Sequence, residues 1–199
     1  MVVIVAVIGI LGAVAAPSFT SLMDGMKVTQ AVTDIQTVLQ DTQRQAIRTS
    51  QPCAVKVPKN NGNGNGHGNG HGKKTITGNC LTSGSPEVSD NVTLASNMQG
   101  SPEANTVPNV PALEVADIKF NTLGSAEFSI QSAVQSPLLP TDPTGKVVAF
   151  VDNPNVKKKC VAISSTLGLT RLGIYTGDIT PTEITDRGVC TALDWKQQQ

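Results

Sequence analysis

The fold is decided by the stretch Met1-Val-Val-Ile-Val-Ala-Val-Ile-Gly-Ile-Leu-Gly-Ala-Val-Ala-Ala16, which carries no polar side chain and is followed by Pro17. Sixteen helical residues cover ~24 Å at ~1.5 Å each, against ~30 Å of bilayer hydrocarbon. A secretory signal peptide would need a cationic leader and a shorter apolar run, and proline directly after a small-residue cleavage site is unfavourable. A buried core helix would need apolar partners on every side. Past Pro17 the pattern changes. Val28, Val32, Ile35, Leu39 and Ala46 recur at the spacing of one helix face, with Val38 and Ile47 widening the stripe. No glycine or proline occurs between Lys27 and Gln51, and Pro52 ends the run. The expectation is one long helix, all-apolar over residues 1–17 and one-sided over residues 18–51, with Gly9, Gly12, Pro17 and Gly25 as its expected weak points.

Residues 52–199 have β chemistry. Alternating or β-branched runs predict strands at Cys53–Val57, Lys74–Thr77, Val92–Ala95, Asp117–Phe120, Ala126–Ile130, Lys146–Val151, Lys159–Ile163 and Arg171–Tyr175. Turn residues separate them at Asn121–Gly124, Pro143–Gly145, Asp152–Pro154 and Gly168. Such short strands, with no second long helix, predict an antiparallel sheet in a small β head. The first two strands would form a hairpin whose tip, residues 60–72, is a run of Asn, Gly and His. That tip has no apolar side chain to bury, so it is expected to be disordered and dispensable. The fold class is therefore α+β.

The chain has 199 residues, with 15 basic and 15 acidic side chains and a formal net charge of zero. A nucleic-acid binder usually shows a basic excess. With one Trp, one Tyr and four Phe, a large aromatic-lined pocket is not expected. The four cysteines, Cys53, Cys80, Cys160 and Cys190, include no Cys-x-x-Cys. Their even number and wide spacing suit two disulfides in an oxidising compartment, with four free buried thiols as the alternative. Three pairings exist. Cys53–Cys80 with Cys160–Cys190 is preferred, because each pair brackets one compact segment.

The N-terminal stretch resembles the leading helix of type IV pilins and type II secretion pseudopilins. The resemblance is carried by Ile8-Gly9-Ile10-Leu11 and by Ala16-Pro17-Ser18-Phe19, in order and spacing. Three later segments are similar to the GspH/FimT minor pilins: Leu39-Gln-Asp-Thr-Gln-Arg-Gln-Ala-Ile-Arg48, Asp117-Ile-Lys-Phe-Asn-Thr-Leu-Gly124 and Val161-Ala-Ile-Ser-Ser-Thr-Leu-Gly168. The family's cleavage motif, a Gly followed by Phe-Thr-Leu-Ile-Glu, does not occur here. Met1 corresponds to the position just after that glutamate, so an upstream natural start is expected.

The resemblance implies a filament subunit, a minor pilin or pseudopilin. It would be held in the inner membrane by a single helix, with its head in the periplasm, until it assembles into a type IV pilus or secretion pseudopilus. The membrane and filament-core helix would comprise Val2, Val3, Ile4, Val5, Val7, Ile8, Gly9, Ile10, Leu11, Gly12, Val14 and Pro17. Small residues there permit close helix approach. Implied partners are other pilin subunits, with prepilin peptidase, its N-terminal methylation and the assembly platform acting on the full-length product.

Other chemistries are weighed beside this. Some FimT-type proteins bind DNA through a Gly-Arg-x-Arg turn. Gly168-Leu-Thr-Arg171 offers one arginine, and Lys157, Lys158 and Lys159 add charge. Major pseudopilins have a calcium loop near this end, where Asp178, Glu183 and Asp186 would be the ligands. Their spacing is not that of an EF-hand, and a solvated disulfide loop is preferred. His67 and His71 are the only histidines, and their Gly-rich segment cannot hold them on a helix. No metal or cofactor is expected. No Gly-x-Ser-x-Gly, Walker loop or His-Glu-x-x-His occurs, so no enzyme is expected. The alternatives carried forward are a competence-type DNA-binding pilin and an unrelated membrane-anchored periplasmic β domain.

Overall fold

The apolar and amphipathic segments are one element. The computed structural model describes residues 2–58, 74–82, 84–98, 115–130, 144–177, 179–180, 183–184 and 189–192, with side chains from Phe19 onward. Helix α1 runs from Val2 to Thr49, 48 residues, or about 72 Å at ~1.5 Å per residue. The expected weak points Gly9, Gly12, Pro17 and Gly25 all lie inside it, and none interrupts the helix. It ends two residues earlier than expected. Ser50 takes a left-handed φ of 52°, the usual conformation just past a helix end, and Pro52 then bars any continuation.

Thirteen strands follow among the described residues: β1 (Cys53–Pro58), β2 (Lys74–Thr75), β3 (Thr77–Gly78), β4 (Glu87–Val88), β5 (Thr93–Ser96), β6 (Val115–Phe120), β7 (Ala126–Glu127), β8 (Thr144–Phe150), β9 (Lys159–Ser164), β10 (Thr170–Thr176), β11 (Ile179–Thr180), β12 (Glu183–Ile184) and β13 (Val189–Ala192). All pairings are antiparallel, which with α1 makes the fold α+β. The expected single sheet is instead two main sheets, ordered β3-β1-β6-β7 and β13-β10-β9-β8-β5, with two small pairs, β2-β4 and β11-β12.

Several strand expectations are corrected. The Lys74–Thr77 strand splits at Ile76, which is fully buried and donates its N–H to the Pro86 carbonyl. The hairpin therefore survives only as Val55↔Gly78 and Lys56↔Thr77, while β6 pairs with β1 along its whole length, from Cys53↔Phe120 to Pro58↔Val115. Of Ala126–Ile130 only Ala126–Glu127 is strand, with Ile130 forming a lone bridge to Met98. Thr144 and Gly145, expected in a turn, open β8. Glycine is required there because a Cβ would lie 2.7 Å from Met98 Sδ and 3.0 Å from the Phe128 ring. The stretch expected as a solvated disulfide loop holds β11, β12 and β13, and Ile184 is buried. The tip 60–72 lies outside the described residues.

Side-chain alternation explains the layers. In β1, Cys53, Val55 and Val57 are buried while Ala54 and Lys56 are only partly so, the period-2 pattern of a strand covered on one side. In β8, Val147, Val148 and Ala149 are all buried, because the five-stranded sheet is covered on both faces. On one face α1 contributes Val28, Val32, Ile35 and Leu39 to a cluster with Val161 and Ile163 of this sheet and Ile118 and Phe120 of β6 in the other. On the other, Ala95, Val148, Cys160, Tyr175 and Ile184 form a second cluster. Each fully buried large aliphatic contributes ~1.5–3 kcal/mol. Disulfides Cys53–Cys80 and Cys160–Cys190 tie β1 to the chain after β3, and β9 to β13, which is the preferred pairing.

Candidate functional site

The helix changes sides where it leaves the head. From Val28 on, its buried residues Val28, Val32, Ile35, Leu39, Thr42 and Ala46 share one face. Just before, Phe19, Leu22, Met23 and Met26 are 46–63% exposed. At about 100° per residue these four also share one face, but roughly opposite the buried one. Asp24 lies on the head side of the same turns, where it accepts from Asn153 Nδ2 at 3.3 Å and stands 3.9 Å from Lys27. The head thus meets the polar side of this part of the helix, and its apolar side faces outward.

The two flanks of the buried face differ. On one, three glutamines hold the β turns. Gln36 and Gln40 donate to the Thr170 carbonyl and hydroxyl at 3.5 and 3.3 Å, and Gln43 Nε2 donates to the carbonyls of Gly124 at 2.8 Å and Leu167 at 3.1 Å. The Ser165 carbonyl accepts from Ala126 N–H, and Gly168 N–H bonds back to Ser164, so the β6–β7 and β9–β10 turns form one knot against the helix end. Its tips are aliphatic: Leu123 is 87% exposed, with Leu167, Leu169 and Ile47 beside it at 50–63%. Ile47 was expected in the core stripe. It lies about 100° from the centre of that stripe, and its Cδ1 packs instead at the Gly124 turn, 2.8 Å from where a Cβ would be.

On the other flank lies a cleft of about 350 Å³ between α1 and β4, with Asp34, Glu87, Asp90 and one cation, Lys27, on its walls and Ala31 and Val88 among its lining. Burial raises the Asp34 carboxyl above its ordinary value. Beneath, Lys74 is buried and donates to the carbonyls of Val92 at 2.7 Å and Asp90 at 3.1 Å. Burial lowers its pKa, partly offset by Asp90. Neither the cleft nor the knot was found by sequence reasoning. The available signal for the knot was three leucines at turn tips, where polar residues are usual.

The expected cationic set does not converge. Lys159 Nζ donates to Thr29 Oγ1 at 2.8 Å on the helix side of the sheet, where burial lowers its pKa. Lys158 Nζ donates to the Gly177 carbonyl at 3.2 Å. Lys159 pairs with Ile174 and Arg171 with Ala162, so three strand positions separate them, about 10 Å, and Arg171 points to the opposite face. Lys157 is exposed.

Glu183 stands in β12 opposite Thr180. Asp178, Asp186, His67 and His71 lie outside the described residues, as do the side chains of Val2, Val3, Ile4, Val5, Val7, Ile8, Ile10, Leu11, Val14 and Pro17. Among the described residues no group of three or more His, Cys, Asp or Glu is arranged to hold a metal, and no helix is long and apolar enough to cross a membrane. The chain matches no protein-family model, no curated protein and no solved structure.

Proposed function

We propose that this protein is a structural subunit of a helical filament, a minor pilin or pseudopilin of the GspH/FimT kind with a type IV pilin-like fold, which polymerises through α1 and catalyses no reaction. The reading is carried by the face formed by Phe19, Leu22, Met23 and Met26, which is apolar, exposed and turned away from the head. Burying each of these side chains contributes ~1.5–3 kcal/mol, and the head supplies no cover. The face continues a segment, Val2–Ala16, that has no polar side chain. Before assembly the lipid of the inner membrane would cover that segment, with the head in the periplasm; in the polymer, neighbouring α1 helices would. Small residues at Gly9, Gly12, Ala13 and Ala16 allow close helix packing.

The test is chemical cross-linking of the full chain in membranes, comparing wild type with Leu22→Asp/Met26→Asp. Wild type is expected in the membrane fraction and in cross-linked ladders. The variant should keep its head fold, shown by intact disulfides, and lose the ladder. A wild-type chain found entirely in the aqueous fraction, or an unchanged ladder in the variant, would remove this reading.

A further inference from the structure

Filament subunits also touch through their heads, and this chain carries two unlike surfaces suited to that contact. The first is the aliphatic knot of Ile47, Leu123, Leu167 and Leu169. Gln43 and the close approach of Gly168 to Gly124 O hold its turns rigid, so docking them costs little conformational entropy. Exposed aliphatic groups gathered on rigid turns mark an interaction site. Arg44 is exposed beside it, three residues before Ile47, and Arg48 is exposed one turn beyond Arg44 on the same helix end. The second surface is the cleft with Asp34, Glu87 and Asp90 on its walls, three carboxylates against the single cation Lys27, and with Ala31 and Val88 within it.

One surface is aliphatic with a cationic edge; the other is a concavity with apolar groups and an anionic edge. They lie on opposite flanks of the buried face of α1, and Ile47 is thirteen residues beyond Asp34, about 20 Å along the helix. One chain therefore cannot join its own two surfaces. Two copies joined by one such contact each keep one surface unused, and repeating that contact is heterologous and propagates. We propose that the Ile47–Leu123–Leu167–Leu169 knot, with Arg44 and Arg48, docks into the Asp34–Glu87–Asp90 cleft of a second copy of this chain. This rests on the filament reading and specifies how its heads meet.

The experiment measures self-association of the full chain in mild detergent by energy transfer between N-terminally labelled copies. Arg44→Glu/Arg48→Glu and Asp34→Lys/Glu87→Lys should each weaken association at least tenfold. Mixing the two variants should restore it, because each reversed surface then finds its complement. Leu123→Ser should weaken it severalfold without touching the fold, since that side chain is 87% exposed. Raising NaCl should weaken wild-type association. Unchanged association in either charge variant overturns the proposal, as does loss without rescue on mixing. If Arg44→Glu/Arg48→Glu instead loses only binding to anionic vesicles, the knot docks on lipid and the proposal falls. The filament reading is judged separately by Leu22→Asp/Met26→Asp. If that variant loses association while the charge variants keep it, the filament reading stands without this contact; if none loses it, both fall.

Discussion

Replacing Gly168 by alanine tests the turn knot directly. Gly168 has φ +61°, and a side chain in the left-handed region costs ~1–2 kcal/mol. The new Cβ would also sit 2.1 Å from Gly124 O, a backbone atom, and 2.6 Å from Gln43 Nε2, a side-chain end held by its bonds to the Gly124 and Leu167 carbonyls. Forcing a methyl group into such a space costs ~1–3 kcal/mol. Parting the turns would stretch the bond from Gln43 to Gly124, worth ~1 kcal/mol net. The sum is about 3–6 kcal/mol, a large share of the ~5–15 kcal/mol that holds a typical domain. For a chain this long that lowers Tm by roughly 6–24 °C. Gly84 supplies the control: φ is +84°, and nothing lies within 4 Å of its Cβ position. Gly84→Ala should lose only the backbone component, ~1–2 kcal/mol. Thermal unfolding in detergent, followed by far-ultraviolet circular dichroism, reads both variants. Equal losses would mean that the two turns do not close on Gln43, and the rigid platform would not exist.

Non-reducing peptide mapping should recover Cys53–Cys80 and Cys160–Cys190, and replacing either pair by alanine should cost about 3–4 kcal/mol in the chain-entropy account, since the bridged residues are 27 and 30 apart; a Cys53–Cys160 peptide would contradict the sheet order. Asp34 has its folded-state pKa raised above the ordinary 3.8 by burial, so the folded state holds that proton more tightly. The resulting stability is complete below 3.8 and lost as pH rises through the folded value. Asp34→Asn should therefore raise Tm at pH 7 and leave it unchanged at pH 3, measured by calorimetry; a lower Tm at pH 7 would show that the carboxylate has a stabilising partner. Replacing residues 60–72 by Asn-Gly should leave Tm within error, because loop-closure entropy varies slowly with length. Saturating Zn²⁺ should leave wild-type Tm unchanged, and a zinc-dependent rise abolished by His67→Ala/His71→Ala would make that loop a metal site.

The parts of the fold legible in the sequence were those fixed by local periodicity. Val28, Val32, Ile35 and Leu39 were found from spacing alone and are buried to within 2%. Gly124 and Gly168 were identified as turn residues, and both have positive φ. Pairing was less legible, because it is decided over long separations. β1 and β6 share a six-pair register across more than fifty residues, and no local pattern specifies β6 over the nearer Lys74–Thr77. The short strands β11 to β13 escaped because ladders of two residues, or of four in β13, carry little or no period. They form because the outer face of β8 and β9, with Val148 and Cys160, needs apolar cover, which Ile184 provides.

Ile47 shows how the site itself was hidden. Its spacing of eight from Leu39 looks like two helical turns, yet eight residues at about 100° each overshoot two full turns by about 80°. That drift carries Ile47 out of the buried face and onto the flank where Gln43 gathers the turns. The same arithmetic, run toward the N-terminus, puts Phe19, Leu22, Met23 and Met26 opposite the core although they are as apolar as the residues within it. Apolar residues on a helix thus divide into those the fold covers and those it leaves outward, and angle separates them where composition does not. In this chain the outward set occupies both ends of the α1 segment that carries the head: four side chains where the helix leaves it, and Ile47 with its three leucines at the far end. In the filament proposed above, a neighbouring subunit would cover each of these ends.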